Sequence, residues 1–410
     1  MLKFKVDMSS HTGHRLFKGA IAHVTFSGDF GGREKVALEL CRSLRDVGQE
    51  SLLFVVIEER AGEKRNQNLL DSLGDFSRFG QSFSTRSRFS PRLMFRLSRS
   101  FREQGVRVVH CHCYKSLYYA VMMRFAGLLD AVVVYTLHGL ILPAGVMASL
   151  IRGCQIVGLR MADGVIGCSR EVLATSFPNP NGVKTAAIIN AIELPANNYS
   201  ALQAAKSQAR DELVKRYSLD PKGLIVINVG RICPQKNFPL YLDLIRQDQV
   251  SNPNSNTNYL IVGDGELQDE LEARVDLLGL RSRVVFTGFV SDMDTIYRGA
   301  DMLVQTSIWE GTPMCLLEAR SYGLPVVAPA VGGNVDVIES GSDGFLYPVS
   351  DMNALMDRYA SYVGSPELRQ SHGKAAFERI GNEFGTRDWA LHHMEFYRGL
   401  TEGNAHEVIT

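Results

Sequence analysis

The chain has 410 residues, of which 45% are hydrophobic and 21% are charged, the proportions of an ordinary soluble globular protein. Lys and Arg total 44, and so do Asp and Glu, so no net charge attracts the chain to nucleic acid or to a membrane. The length exceeds what one hydrophobic core usually supports and predicts two domains, while seven cysteines without framework spacing predict reduced thiols.

Short apolar, β-branched runs alternate with helical patterns along most of the chain. In the first half they predict strands at Ala20–Phe26, Ser51–Ile57, Val106–His112, Val132–Leu137, Gly164–Cys168 and Ala186–Asn190. In the second half they predict strands at Leu224–Val229, Tyr259–Val262, Val284–Thr287, Met302–Gln305 and Pro325–Ala328. Strands separated by helices form parallel sheets. The pattern therefore predicts an α/β fold of two Rossmann-like, doubly wound parallel-sheet domains that face a central cleft.

The predicted domain boundary is the Pro- and Asn-rich break at Leu194–Tyr199, which precedes a polar helix at Ala201–Tyr217. We expect an N-terminal domain over residues 1–195 and a C-terminal domain over residues 196–385. The last segment, residues 386–410, is expected to form a helix that packs back on the N-terminal domain.

A glycine-rich turn with Gly28, Gly31 and Gly32 follows the first predicted strand and opens a helix. Paired glycines allow close approach to the backbone, and a helix start offers free N–H groups to a phosphate. The turn lacks the G-x-G-x-x-G pattern, so it does not imply a nicotinamide dinucleotide. A turn that is needed only for packing is the alternative.

Eight arginines stand between positions 78 and 107, against one acid, Glu103. Over residues 91–105 the pattern predicts an amphipathic helix with the arginines on one face. The members of that face are Arg92, Arg96, Arg99 and Arg102. Such a helix suits an anionic bilayer or an anionic lipid-linked acceptor. Alternatively, its apolar face packs on its own domain and the arginines are only solvated.

Two histidines, His110 and His112, alternate with Cys111 and Cys113. Alternation along a strand places the two histidines on one face and the two cysteines on the other. Four ligands therefore cannot converge on one ion, and no metal site is predicted.

The segment Ala131–Ile151 contains no charged residue and resembles a membrane span. Because its first part is β-branched and glycine and proline follow, we predict a buried strand ending at Leu137, then a loop and a helix start. A span is the alternative. His138 follows the strand, where cleft residues collect, and could bind a ligand hydroxyl or stabilise charge; a purely structural histidine is the alternative.

In the second half, Arg231 and Lys236 lie in a loop after a predicted strand. Two cations there could converge on a diphosphate, or could simply be solvated. Glycine turns at Gly263–Gly265 and at Val331–Asn334 follow later strands. All of these turns are expected at the same edge of the sheet, which raises the expectation of one shared site.

The most informative stretch places Glu310 before a Gly-Thr-Pro turn and Glu318 eight positions later. The predicted helix runs from Pro313 to about Tyr322, so both carboxylates can face one cleft beside its N-terminus. That N-terminus favours a phosphate, and two carboxylates suit hydroxyl recognition on a sugar phosphate. An acid at the helix dipole plus one solvated glutamate is the alternative.

Together, these motifs resemble those of the retaining glycosyltransferases of family 4, which have the GT-B fold. The resemblance spans residues 19–400. In chain order, the matching motifs are Gly31-Gly32, Val109–His112, Thr136–Gly139, Ala162-Asp163, Ser169, Ile189-Asn190, Val229–Arg231, Lys236-Asn237, Val262–Gly265, Phe286–Gly288, Ala300-Asp301, Ser307–Pro313, Glu318-Ala319, Gly323–Val327 and Val331–Gly333.

The resemblance implies that Arg231 and Lys236 hold the diphosphate of a nucleotide sugar, that Glu310 contacts the transferred sugar, and that Glu318 binds the ribose. It places His138 near the reacting carbon and the acceptor. The remaining donor-binding positions that it implies are Gly31, Gly32, Gly265, Val290 beside Phe289, Gly311, Thr312, Met314, Cys315 and Leu316.

The implied function is transfer of a sugar, from a UDP- or GDP-linked donor and with retention, to a glycan or lipid-linked acceptor in bacterial surface polysaccharide biosynthesis. Neither a metal nor a cofactor is implied, and no nucleic acid partner. The implied location is the cytoplasm or the inner face of the plasma membrane, contacted through Arg92, Arg96 and Arg99. A nucleotide-sugar epimerase of the same fold and a non-catalytic sugar-nucleotide-binding protein are the alternatives.

The chain departs from the family pattern at two places. Asn190-Ala191-Ile192-Glu193 stands where the family has Asn-Gly-Ile/Val-Asp, and Asp336 stands where a glutamate often follows the late Gly-Gly pair. The role of the turn at residues 190–193, and the contact of Asp336 with the acceptor, are therefore open.

Overall fold

The structure is a computed structural model that describes residues 16–27, 31–59, 78–87, 89–139, 153 and 155–402. The first half consists of β1 (Ala20–Ser27), α1 (Gly32–Asp46), β2 (Ser51–Glu58), β3 (Gly80–Thr85), α2 (Pro91–Glu103), β4 (Val106–Cys111), α3 (Tyr114–Phe125), β5 (Val132–Leu137), β6 (Gly164–Gly167), α4 (Arg170–Ser176) and β7 (Lys184–Ala187). Most of its strands are apolar runs, as a sheet covered on both faces requires.

The second half begins after the crossing segment. It consists of α5 (Tyr199–Ala204), α6 (Lys206–Tyr217), β8 (Ile225–Val229), α7 (Phe238–Ser251), β9 (Asn258–Val262), α8 (Gln268–Leu277), β10 (Val284–Gly288), α9 (Met293–Gly299), β11 (Met302–Val304), α10 (Met314–Ser321), β12 (Val326–Pro329), α11 (Asn334–Val337), β13 (Phe345–Tyr347), α12 (Met352–Gly364), α13 (Pro366–Glu383) and α14 (Thr386–Thr401). Helices cover both faces of each sheet, and the hydrophobic core lies between the layers.

Within the described residues, the first sheet has the order β3-β2-β1-β4-β5-β6-β7 and the second has the order β10-β9-β8-β11-β12-β13. The named strands pair in parallel throughout. In each sheet the order reverses next to the central strand, between β1 and β4 and between β8 and β11. This is the doubly wound α/β fold that the sequence predicted, in two copies.

Several predicted boundaries were wrong, chiefly at the sheet edges. The edge strands β3 and β13 were not predicted, because β3 is polar in sequence and β13 has three residues. The last strand of the first sheet lies at Lys184–Ala187 rather than Ala186–Asn190. The polar helix at Ala201–Tyr217 is divided into α5 and α6. Pro313 caps helix α10 instead of lying in its first turn.

The arginine-rich helix α2 begins where Ser90 accepts a hydrogen bond from the amide of Leu93 at 3.3 Å. Its apolar side chains pack into the core of the first half; they are Leu93, Met94, Leu97 and Phe101. Its four arginines are exposed. The apolar face of α2 therefore covers its own domain, and its arginines face outwards.

The strand predicted at the start of the uncharged segment is present as β5. Residues 140–152, where the loop and the helix start were predicted, lie outside the described residues. None of the helices in the described part of the chain combines the length and the apolar character that crossing a bilayer requires.

The chain passes between the halves twice, and the two crossing segments touch. The amide of Ile192 in the outgoing segment donates to the carbonyl oxygen of Phe384 in the returning segment at 3.0 Å. Helix α14 then packs on α1, and Tyr397 forms a hydrogen bond of 2.7 Å with Nδ1 of His110. The last helix thus contributes to the core of the first half.

A buried ion cluster joins three elements of the second half. Arg320 in α10 has no exposed surface, and its Nη2 lies 2.6 Å from Oδ2 of Asp343. Arg379 in α13 contacts the same oxygen at 3.1 Å. Although burial alone would raise the pKa of Asp343, the hydrogen bond and charge of Arg320 hold that pKa below its usual value. The carboxylate therefore stays charged and compensates the buried guanidinium.

We expect Asp343→Ala to lower the free energy of unfolding by about 3–5 kcal/mol, because it leaves Arg320 buried without its counter-ion. Urea unfolding followed by circular dichroism measures this change. The control is Asp276→Ala, which removes the solvent-exposed partner of Arg281 and should change stability little. Equal effects of the two substitutions would contradict the assignment.

Candidate active site

Two helix N-termini meet between the halves. Helix α1 follows β1 and helix α10 follows β11, and both strands adjoin the point where the order of their sheet reverses. A Cβ added to Gly32 would lie 4.0 Å from Cγ of Met314, so the first turns of the two helices are neighbours. Clefts of open α/β sheets form at such points, and helix N-termini favour anions.

The carboxylate of Glu310 is buried in the loop before α10, with 7% of the residue exposed. Its Oε1 accepts hydrogen bonds from Lys236 Nζ at 2.6 Å, Ser307 Oγ at 2.6 Å and Gln305 Nε2 at 3.2 Å. Its Oε2 lies 3.4 Å from Nε2 of Gln235. A buried carboxylate requires such donors, so this network fixes Glu310 in place.

Lys236 ends the short 3₁₀ turn Pro234–Lys236 and lies beside the loop. Burial alone would lower the pKa of Lys236, but the Glu310 carboxylate outweighs burial and raises it, so the ammonium stays charged. Gln305 is oriented in turn by Asn334, whose Nδ2 donates to its Oε1 at 2.7 Å. The amide of Gln305 therefore directs its NH₂ group to Glu310.

The loop that carries Glu310 also contacts the first half. Asn190 Nδ2 donates to the carbonyl oxygen of Thr312 at 3.3 Å, and the hydroxyl of Thr312 donates to the carbonyl oxygen of Cys168. A Cβ on Gly311 would lie 2.2 Å from the carbonyl oxygen of His138, far inside van der Waals contact. Only glycine allows this approach. The predicted residues Glu310, Gly311, Thr312 and His138 are thus brought together.

The other predicted cation, Arg231, does not join this group. Its side chain is 62% exposed, and its Nε donates to Oε2 of Glu266 at 3.1 Å. Gly265 packs against the backbone of Ile232, where a Cβ would lie 2.2 Å from the carbonyl oxygen. Close backbone packing therefore accounts for this glycine in the structure as it stands.

The second carboxylate, Glu318, lies one turn into α10 and is also paired. Its Oε1 accepts from Nζ of Lys35 in α1, and its Oε2 accepts from the hydroxyl of Tyr297 at 2.6 Å. The Lys35 contact is an ion pair across the cleft. Both oxygens of the carboxylate expected to bind a ribose are thus already engaged by protein donors.

The remaining predicted positions surround these groups. Gly31 caps α1, where its amide donates to Oε2 of Glu34 at 3.2 Å. Cys315 and Leu316 lie in the first turn of α10. Phe289 and Val290 follow β10, and Phe289 is 47% exposed.

Asp336 and the late glycine pair lie close to the same loop. The amide of Gly333 donates to the carbonyl oxygen of Gly311 at 2.6 Å. Oδ2 of Asp336 accepts from the amide of Arg170 at the start of α4, at 3.3 Å. Asp336 therefore links the halves as folded.

His138, which follows β5, belongs to a cluster with His23 in the middle of β1 and with His110 and His112 at the carboxyl end of β4. Its Nε2 lies 3.1 Å from Nδ1 of His112, whose Nε2 lies 3.0 Å from Nδ1 of His23. His110 binds Thr136 at 2.6 Å and Tyr397 at 2.7 Å. Burial, followed by the charges of Arg33 and His393, lowers the pKa of His138 to about 3, so the ring is neutral.

The ring nitrogens of His23, His110 and His112 lie within 4.8 Å of one another, the spacing of a metal site. However, facing nitrogens of His23 and His112 are 3.0 Å apart, whereas an ion between them would need about 2.0–2.1 Å to each. Both nitrogens of His110 are also hydrogen-bonded. As folded, these side chains form a hydrogen-bonded cluster rather than a set of ligands around one ion.

Sequence reasoning missed several residues of the site, among them Lys35, Gln305 and His23. Lys35 stands three positions after Gly32 and Gln305 ends a predicted strand, so their positions were consistent with the cleft. Nothing in the local pattern relates Lys35 to Glu318, which lies 283 positions later. The alternation of His110 and His112 is visible in the sequence, but His23, which binds His112, lies on another strand.

Comparison with protein families gives two matches. Residues 30–230 match the family model described as Glycosyltransferase Family 4, and residues 209–379 match the one described as Glycosyl transferases group 1. The two matches overlap and together extend over both halves.

Similar curated proteins are also described as glycosyltransferases. The chain is 26% identical over 275 residues to the UDP-Gal:alpha-D-GlcNAc-diphosphoundecaprenol alpha-1,3-galactosyltransferase of Escherichia coli, covering 64% of this chain and 67% of that protein. It is 29% identical over 198 residues to the lipopolysaccharide core biosynthesis mannosyltransferase LpsB of Rhizobium meliloti, covering 47% and 56%. The chain thus spans about two thirds or less of the length of these curated relatives.

Solved structures match over nearly the whole chain. The structure of Anabaena HepE in complex with UDP and glucose has a TM-score of 0.75 at 20% identity, covering 92% of this chain and 99% of that one. Sucrose-phosphate synthase from Thermosynechococcus elongatus has a TM-score of 0.73 at 20% identity, covering 94% and 100%. These likenesses establish the shared GT-B fold.

We expect Gly311→Ala to separate the two halves, because the added methyl group would occupy the position of the His138 carbonyl oxygen. Small-angle X-ray scattering should then show a larger radius of gyration than for the unchanged protein. The control is Gly364→Ala at the end of α12, where a Cβ meets nothing within 4 Å. An unchanged radius for Gly311→Ala would contradict the close approach.

Proposed function

The chain belongs to glycosyltransferase family 4, and we propose that it transfers a sugar from a nucleotide diphosphate sugar to a glycan or lipid-linked acceptor with retention of configuration. The observation that carries the proposal is the Glu310 carboxylate, held by Lys236 beside the N-terminus of α10 and opposite His138. A carboxylate for sugar hydroxyls and a cation for phosphate are therefore paired beside a loop whose backbone at Gly311 contacts that of His138, the residue with a neutral imidazole.

The donor would lie along the N-terminus of α10. Lys236 and the backbone N–H groups of residues 311, 312 and 314–316 would bind its diphosphate, while the ammonium remains paired with Glu310. Arg231 would turn from Glu266 towards the phosphates, which an exposed side chain can do at small cost. The amide of Gly32 would approach from the other half.

The nucleoside would extend towards Glu318, whose carboxylate would accept hydrogen bonds from the ribose hydroxyls. For this, the ribose would share Glu318 with Lys35 and Tyr297 or displace one of them. The base, uracil or guanine, would lie against the backbone near Phe289 and Val290.

In the proposed reaction, the bond between the anomeric carbon and the β-phosphate oxygen breaks, and the acceptor oxygen bonds to the same face of that carbon. The departing phosphate takes the proton of the acceptor hydroxyl. Lys236, Arg231 and the helix amides stabilise the charge that develops on the phosphate. The proposal assigns this stabilisation to protein groups, so it calls for no metal ion and no cofactor.

Relatives support the acceptor class. The names of two of them refer to a diphosphoundecaprenol-linked sugar and to the lipopolysaccharide core. A third is an amylovoran biosynthesis glycosyltransferase, 28% identical over 168 residues. These names support our proposal that the reaction belongs to bacterial surface polysaccharide biosynthesis; the cytoplasmic side of the membrane is the location that we propose for it.

We expect Glu310→Gln to lower kcat for sugar transfer by at least about 100-fold, because the transferred sugar loses a charged acceptor and Lys236 loses its partner. Release of labelled nucleotide diphosphate, and of glycosylated product with acceptor present, measures this. The control is Glu270→Gln on the exposed side of α8, which should leave kcat unchanged. Near-normal turnover by a folded Glu310→Gln protein would remove Glu310 from the reaction.

The same assay separates the alternatives. Conversion of the donor without any acceptor would indicate an epimerase, and binding of a nucleotide sugar without turnover would indicate a binding protein. The proton NMR coupling at the anomeric position of the product tests retention.

Helix α2 suits contact with an anionic membrane surface. Arg92, Arg96 and Arg99 are exposed on it, and Phe95 between them is 59% exposed. On the following helix, Phe125 is 73% exposed. Exposed aromatic side chains beside arginines are typical of surfaces that bind lipid headgroups. We propose that this face brings the enzyme to a lipid-linked acceptor.

Replacing Arg92, Arg96 and Arg99 with glutamate should weaken binding to anionic vesicles about 100-fold or more, at about 1 kcal/mol for each lost arginine contact. Flotation with phosphatidylglycerol vesicles measures this at low and at high salt. The control replaces three exposed basic residues of the second half, Lys215, Arg216 and Arg281, and changes net charge equally. Equal loss in both proteins would mean that α2 is not the contact.

A further inference from the structure

The three histidines His138, His112 and His23 form a continuous hydrogen-bonded chain from the cleft into the first half. His138 and His112 are 3.1 Å apart, and His112 and His23 are 3.0 Å apart, measured between facing ring nitrogens. His112 and His23 have almost no exposed surface, at 1% and 0%. This row of hydrogen-bonded histidines starts with His138, at the proposed reacting centre, and ends with His23 in the core.

Each of these three imidazole rings is neutral. Burial and then His393 lower the pKa of His23 to about 3, and burial followed by the neighbouring histidines lowers the pKa of His112 well below its usual value. A neutral imidazole has one N–H donor and one bare nitrogen. The middle ring, His112, therefore donates to one neighbour and accepts from the other. All N–H groups consequently point the same way along the row of histidines.

Only two arrangements satisfy this condition. In the first, His23 Nδ1–H donates to His112 Nε2, and His112 Nδ1–H donates to His138 Nε2, which leaves a proton on His138 Nδ1. In the second, His138 donates from Nε2, His112 donates from Nε2, and the last proton lies on Nε2 of His23. In both arrangements Nε2 of His138 is bonded to His112, so the arrangement fixes whether the remaining nitrogen, Nδ1, is an N–H donor or a bare acceptor.

The surroundings of His23, the buried end of the row of histidines, decide between the two proton arrangements. Within the described residues, Nε2 of His23 is buried and has no hydrogen-bond partner. In the second arrangement that atom would be a buried N–H without an acceptor, which is rare and costly in folded proteins. In the first it is a bare nitrogen, and a buried acceptor without a donor is tolerated more often.

We propose that His112 and His23 are positioning residues that hold His138 as the tautomer protonated on Nδ1, so that His138 donates a hydrogen bond to an oxygen of the transferred sugar and does not act as a base. This inference rests on the proposed function for its substrate, but its tautomer concerns the unliganded protein. The acceptor proton then has no recipient in His138 and leaves with the phosphate, as the reaction above requires.

Histidine ¹⁵N chemical shifts test the tautomer directly on the full-length protein without substrate. The protein is labelled with ¹⁵N-histidine, and the His138 signals are identified by their loss in His138→Gln. We expect the shifts of a protonated Nδ1 and a bare Nε2 at neutral pH. A protonated Nε2, or protonation of both nitrogens, would overturn the proposal.

A second measurement tests the positioning role. His112→Phe removes the donor to His138, and we expect a mixture of His138 tautomers and a fall in kcat of about tenfold, with the donor KM within about threefold. His112→Gln retains an N–H donor and should restore both the tautomer and most of kcat. His392→Phe, at an exposed histidine of α14, is the matched control and should change neither.

If His112→Phe keeps both the single tautomer and the unchanged kcat, His112 has no positioning role. If the unchanged protein transfers no sugar at all, the proposed function fails, and the NMR spectrum still decides the tautomer. The two failures are therefore distinguishable. Should His112→Phe not fold, His112→Gln and the spectrum of the unchanged protein carry the test.

Discussion

A carboxylate buried beside a helix N-terminus is stable only when donors and a cation surround it, and Glu310 is such a carboxylate. Lys236 supplies the cation, and Ser307 and Gln305 supply donors to the same oxygen. Lys236 follows β8, whereas Gln305 and Ser307 follow β11, so these groups meet because the two strands are paired. The arrangement of side chains around the Lys236–Glu310 ion pair therefore depends on the fold of the second half.

Contacts between the halves combine close polar approaches with a buried apolar cluster. The backbone of Gly311 approaches that of His138, Thr312 binds Cys168 and Asn190, and Lys35 binds Glu318. Behind these polar contacts, Met314 and Leu317 of α10 belong to the same buried apolar cluster as Val36 and Leu40 of α1. A nucleotide sugar that binds both helix N-termini would add to the same interface.

Much of the fold follows from sequence, because central parallel strands are uninterrupted apolar runs with helices between them. The edge strands β3 and β13 lack that signal, since an edge strand can be polar or short. Within the site, the spacing of Glu310 and Glu318 predicted one cleft, and Lys236 was placed beside it. The pairing of Arg231 with Glu266 and of Lys35 with Glu318 could not be predicted, because it depends on distances between remote segments.

The hydrogen bond between Ile192 and Phe384 has a mechanical consequence. Two neighbouring backbone segments connect the two halves and are joined by this bond, so neither segment can shift along the other without breaking it. Any change in the angle between the halves would have to be absorbed by both segments together.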